Sequence, residues 1–252
     1  MSVPVLRAVD LGRASVLAGG SGRLTGYLAR PVGRGPWPGV VVVHEALGVD
    51  EVMRRQAVRL ARAGFLALMP DLFTRGGVAR CLVATMRAAL SGRGRAYQDI
   101  EAARTFLADS PECTGRVGVI GFCMGGAFAL VSAGSGGFDA ACVNYGVLPK
   151  ELDAVLAAAC PVVASYGGRD RMLKGAAARL DSALDRAGVV HDVKEYPTAG
   201  HAFLNDAEVG PRLLRPLLRV SGMGPDPQAA TDAWQRIDTF LNTHLNPRKG
   251  ES

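Results

Sequence analysis

Between Val117 and Leu130 the chain reads Val-Gly-Val-Ile-Gly-Phe-Cys-Met-Gly-Gly-Ala-Phe-Ala-Leu, and few folds accommodate that run. Val117, Val119 and Ile120 make a short apolar stretch suited to a buried strand, and the small residues after Gly125 suit the start of a helix. A strand that reverses sharply into a helix crowds its own backbone, so only residues without Cβ fit beside the central one. Gly121-Phe-Cys123-Met-Gly125 has that spacing, with cysteine at its centre. The central side chain is presented at the carboxyl end of a sheet, at a helix N-terminus whose free N–H groups favour a thiolate. The sequence thus predicts Cys123 as a nucleophile in preference to a buried packing cysteine.

The rest of the chain alternates strands and helices. Two short segments, Val3–Val9 and Leu24–Arg30, flank Gly19-Gly20-Ser21-Gly22 and predict an antiparallel hairpin at a sheet edge. Residues 31–38 read as loop, and Val40–Val43 as a strand covered on both faces. Asp50 caps a helix with Val52, Ala57, Leu60 and Ala61 inward and Arg54, Arg55, Arg59 and Arg62 outward. Strands follow at 65–69, 140–145, 161–166 and 189–196, and helices at 83–90, 99–107, 176–186 and from Asp226-Pro227 onward. No composition shift marks a linker. The expectation is one α/β domain over 1–252 with a mostly parallel sheet of seven or eight strands, helices on both faces, and residues 205–225 as an inserted loop region.

The formal charge of +6 invites a nucleic-acid reading, but the arginines are single and scattered, without a basic tract or aromatic interleaving. No charged-then-apolar leader is evident and no apolar run reaches the roughly 18 residues of a membrane span. Five cysteines without C-x-x-C spacing argue for reduced thiols in a cytoplasm and against a disulfide framework or zinc site. No cofactor or metal is called for.

A cysteine nucleophile needs a base within reach, and the base needs an orienting carboxylate. The α/β-hydrolase architecture supplies them in the order nucleophile, acid, histidine, each on a loop after a strand. Asp170 follows the 161–166 strand through two glycines, and His201 follows the 189–196 strand in a Gly-His loop. His44, His191 and His244 are placed wrongly for the part. The fold offers two oxyanion donors, the N–H of Met124 and that of Ala46 after the Val40–Val43 strand. Glu45 is the odd residue, since a carboxylate beside the nucleophile raises a thiol's pKa.

His44-Glu45-Ala-Leu-Gly48, Pro70-Asp71-Leu72-Phe73, Gly121-Phe-Cys123-Met-Gly-Gly126, Tyr145-Gly146, Gly168-Arg-Asp170 and Gly200-His201-Ala-Phe203 together resemble the dienelactone hydrolase family. The resemblance implies a hydrolase acting on lactones and related esters, with Cys123 as nucleophile, His201 as base and Asp170 as its orienter. It also implies that Glu45 keeps the resting thiol protonated until substrate displaces the carboxylate. Two departures bear on the substrate. The family's arginine after the histidine is absent from His201-Ala-Phe-Leu-Asn205, and the segment after Phe73 is shortened.

Between Asp71 and Asp99 there is no acidic residue, while Arg75, Arg80, Arg87, Arg93 and Arg95 fall there. Facing the pocket, they would favour an anionic ester or lactone; Arg80, Arg87, Tyr145 and Phe203 are the candidate substrate contacts. A small-molecule substrate and a monomer or homodimer are expected, with no nucleic-acid or membrane partner. The competing readings are a redox-sensing thiol protein and a non-hydrolytic binding module on the same scaffold. The first lacks an obvious resolving cysteine, and the second would be expected to have lost a triad member. A dinucleotide-binding turn is excluded by the spacing of Gly121, Gly125 and Gly126.

Overall fold

The computed structural model of the chain describes residues 4–208 and 223–246. Of the region expected as an inserted loop, residues 209–222 lie outside the described residues.

The strands β1 (Leu6–Asp10), β2 (Thr25–Ala29), β3 (Trp37–Val43), β4 (Leu66–Pro70), β5 (Cys113–Phe122), β6 (Ala140–Asn144), β7 (Val162–Gly167) and β8 (His191–Tyr196) form one sheet. Its order is β1-β2-β4-β3-β5-β6-β7-β8. The first two strands are antiparallel to their neighbours and the rest are parallel. The valines of β3 are wholly buried, as a central parallel strand with both faces covered demands. Helix α4 (Arg95–Ala108) and helix α8 (Pro227–Leu245) supply that cover on opposite faces. Leu107 and Val117 crowd one side of the sheet at Gly39, while Leu241 and Leu245 crowd the other at Gly118.

Several helices form where the apolar periodicity and caps place them. Asp50 accepts a hydrogen bond from the Met53 N–H at 2.9 Å and opens α2 (Glu51–Arg62), whose buried stripe includes Val52, Ala57, Leu60 and Ala61. Asp226 and Pro227 open α8 in the same way, with Ile237, Leu241 and Leu245 fully buried. α5 (Met124–Ala133) and α7 (Ala176–Ala187) complete this group.

Other boundaries move. The edge strands pair as expected, but a six-residue helix, α1 (Gly12–Leu17), sits between them in place of a simple hairpin turn. β3 begins at Trp37, taking in Pro38, where the register against β5 shifts. A proline without an N–H fits inside a sheet at such an irregularity. α3 (Gly77–Ser91) and α4 both start earlier than their apolar spacing implies, because their first turns carry exposed arginines and no inward stripe. The short α6 (Leu152–Leu156) spans too few residues to show a period.

The crossovers run one way from β3 to β4 and the other way from β5 through β8. The sheet therefore has a switch point between β3 and β5, where the loops at the carboxyl ends part and leave a crevice. Glu45 and Cys123 stand at the ends of those two strands.

Candidate active site

Cys123 is the residue between β5 and α5, with φ +54° and ψ −114°. A non-glycine residue pays conformational strain there, of order 1–3 kcal/mol, and the surrounding backbone must impose it. The glycines explain how. A Cβ on Gly121 would lie 1.9 Å from the Gly125 carbonyl oxygen, and one on Gly125 would lie 2.1 Å from that of Val43. The turn is closed by the Cys123 N–H donating to the Asn144 carbonyl at 3.1 Å and the Gly126 N–H donating to the Cys123 carbonyl at 3.0 Å. Cys123 itself keeps partial exposure.

Asp170 and His201 come from the loops after β7 and β8. The His201 ring, 7% exposed, places Nδ1 2.5 Å from Asp170 Oδ2. Asp170 is buried too, and its other oxygen accepts the Met172 N–H at 3.0 Å, which fixes the carboxylate's orientation. His201 Nε2 is buried without a protein partner at hydrogen-bonding geometry, yet the Cys123 sulfur is near enough to act on the ring. Burial opposes a charge on the imidazole, but the Asp170 carboxylate and the Cys123 sulfur outweigh it and push the ring up to about 10. A proton leaving the thiol therefore finds a favourable acceptor. The backbone of this loop is tied to the start of α8, with the Gly224 N–H donating to the His201 carbonyl at 2.9 Å.

Glu45 is buried, near enough to His201 to feel its charge. Its carboxylate accepts the Asn205 side-chain amide at 3.2 and 3.3 Å and the Tyr145 hydroxyl at 3.3 Å. Burial raises its pKa to about 7, against the lowering effect of Asn205, His201 and Tyr145. His44 holds the backbone around it. The His44 Nε2 accepts the Leu72 N–H at 3.2 Å, so Nδ1 carries the proton and donates to the Glu45 carbonyl at 2.7 Å. Among the described residues the Ala46 N–H has no backbone acceptor, and the Met124 N–H, at the first position of α5, has none within the helix.

The remaining histidines stand apart. His191 lies on the edge strand β8 beside Asp181, and His244 packs against Phe240 on α8. Asn205, which donates to the Glu45 carboxylate, is remarked in the sequence only for not being an arginine.

All four expected substrate contacts are corrected. Phe203 is wholly buried, packed edge-on against Tyr145 and beside Tyr196, so it is a core residue. Tyr145 is equally buried, with its ring 5.1 Å from that of His201, and its hydroxyl is spent on Glu45. Arg80 and Arg87 line a cavity whose walls include neither Cys123 nor His201.

An eight-stranded, mostly parallel sheet with a sharp strand-to-helix turn at its switch point gives the chain the α/β-hydrolase fold. The dienelactone hydrolase family model matches residues 24–245, and the chain belongs to that family. A carboxymethylenebutenolidase of Pseudomonas sp. strain P51 is 34% identical over 200 residues, covering 75% of this chain and 83% of its own. One from Pseudomonas putida is 29% identical over 199 residues, covering 75% and 84%. The crystal structure of a dienelactone hydrolase-like promiscuous phosphotriesterase, P91, from metagenomic libraries aligns with a TM-score of 0.81 at 26% identity, covering 97% of this chain and all of its own. The enzyme is a hydrolase acting on carboxylic ester or lactone bonds. Among the described residues no helix is long and apolar enough to cross a membrane.

Proposed function

We propose that the enzyme cleaves a small ester or lactone by acyl transfer to Cys123, with His201 as base and Asp170 as its orienting carboxylate. The observation that carries this reading is the 2.5 Å contact between Asp170 Oδ2 and His201 Nδ1, which leaves Nε2 to the side where Cys123 lies. The thiol proton passes to Nε2 as the sulfur attacks the carbonyl carbon, and the ester π-electrons move onto oxygen. The Ala46 and Met124 N–H groups, neither bonded to the backbone among the described residues, receive that oxyanion. Collapse expels the alkoxide, which takes the proton from the imidazolium and leaves a thioester. Water, deprotonated by His201, attacks the thioester, and the acid departs as the thiol is restored.

Glu45 serves as the guard of the resting thiol. When ionised it sets a negative charge beside the His201–Cys123 pair and disfavours the thiolate. Because its own pKa lies near 7, that guard strengthens as the solution passes from mildly acidic to mildly basic. The arginine-rich segment carries no preference for anionic esters in this reading, since Arg80 and Arg87 line a different cavity.

The test is a panel of aryl esters, cis- and trans-dienelactone, simple lactones and a phosphotriester. Wild type is expected to turn over at least one carboxylic ester or lactone. His201→Ala lowers kcat/KM by about 10²–10⁴, the usual contribution of a general base, and Cys123→Ala reduces turnover to background. Equal turnover by wild type and Cys123→Ala sinks the covalent route.

A further inference from the structure

The guanidinium-bearing residues Arg23, Arg75, Arg80, Arg87, Arg93 and Arg95 all line one cavity of about 700 Å³. They reach it from separate places: the segment between α1 and β2, helix α3 with the turn before it, and the turn into α4. None of these six guanidinium groups has an ion pair or hydrogen bond with a described residue. Other arginines do find acidic partners, as with Arg55 to Asp206, Arg59 to Asp238 and Arg236 to Asp192.

Two carboxylates also border the cavity, and both are occupied by neutral donors. Asp99 is buried and accepts the Ser15 hydroxyl at 2.6 Å and the Ser21 N–H at 2.8 Å. Asp71 accepts the Phe73 N–H at 2.9 Å. The wall therefore carries a positive excess that its own acids do not offset. Ala84, Ala88 and Ala96 give it an apolar floor.

The cavity lining includes none of Glu45, Cys123, Asp170 and His201. Val78 stands on the side of α3 facing Gly48, the loop of Glu45 and Ala46. Arg80 and Arg87 lie about 160–180° around the helix from Val78, and Ala84 about 120°. A guanidinium group binds phosphate oxygens through a rigid planar fork, and several around one concavity match a ligand bearing more than one phosphate. The volume is of the size that holds a small organic molecule.

We propose that this cavity is a second ligand site, taking a small molecule with two or more phosphate groups, with its organic part on the alanine floor. The ligand neutralises arginines that otherwise repel one another.

Isothermal titration calorimetry on the full chain, with inorganic phosphate, tripolyphosphate, ADP and adenosine as probes, tests it. Tripolyphosphate or ADP is expected to bind, inorganic phosphate more weakly, and adenosine not at all. ADP above tripolyphosphate points to an organic ligand seated on the floor; the reverse order assigns the site to phosphate chains alone and removes the role of the alanines. Arg87→Gln/Arg95→Gln is expected to weaken binding about tenfold or more at unchanged Tm, with Arg80→Gln/Arg93→Gln as the second variant should the first fail to fold. Cys123→Ala is expected to bind as wild type does. No binding of either multiply charged probe, equal affinity in the arginine variants, or loss of binding in Cys123→Ala overturns the proposal.

Discussion

The residue that separates this chain from a plain Cys-His-Asp arrangement is Glu45, held by Asn205 and Tyr145 with its pKa near 7. Its effect on the thiol is readable by alkylation. At pH 8 Glu45 is ionised and suppresses the thiolate, so Cys123 in Glu45→Gln is expected to react with iodoacetamide several-fold faster than in wild type. Below pH 6 Glu45 is protonated and the two rates converge. Equal rates at pH 8 remove the guard. Asn205→Ala strips both amide hydrogen bonds from a buried carboxylate, a loss of about 1–3 kcal/mol in stability, measurable by urea unfolding. It also removes a group that lowers the Glu45 pKa, so the alkylation difference moves to higher pH; an unchanged profile means Asn205 has no hold on Glu45. The positions of Cys123, Asp170 and His201 on loops after β5, β7 and β8 were legible because each sits in a short motif after a strand. That of Asn205 was not, since its partner is 160 positions away and an amide has no spacing signature. Tyr145 and Phe203 were misplaced for a related reason: a motif shows that an aromatic ring belongs near the site, not whether it faces the cavity or the core.

At the scale of elements, the elbow depends on glycine at positions where backbone meets backbone. Gly125→Ala would drive its Cβ against the Val43 carbonyl of the neighbouring strand, which no side-chain rotation relieves. The variant is expected to lose several kcal/mol of stability, at the top of the usual range for single substitutions, or to be recovered only as insoluble protein. A Tm within a degree or two of wild type contradicts this account of the turn. The helices with long apolar stripes and recognisable caps, α2 and α8, were legible within a residue or two. α1 and α6 were not, because five or six residues cannot display a period of 3.6. The arginines of α3 and α4 hid the true starts of those helices, and charge counting alone could not show that several of them line one cavity.

For the whole molecule, the protonation of Glu45 links the site to folding. Its pKa is raised from 4.5 to about 7 on folding, so between those values the folded chain holds a proton that the unfolded chain has released. The stabilisation is present below pH 4.5 and is lost as pH rises through 7. The stability of wild type relative to Glu45→Gln is therefore expected to fall between pH 5 and 8 in paired denaturant titrations. A flat difference means that Glu45 is ionised in the folded state throughout. The same sheet that buries Glu45 brings the ends of β3, β5, β7 and β8 to one crevice, and the alternation of strands and helices was enough to anticipate that convergence.

The central claim is that an acyl group passes through the Cys123 sulfur, and acid-quenched turnover of p-nitrophenyl acetate followed by peptide mass spectrometry tests it most directly. The account predicts one acetyl group on the peptide containing Cys123, released by hydroxylamine and absent from Cys123→Ser treated alike at the same early time. Steady turnover with no label at any quench time, or a label carried by a different residue, would contradict it.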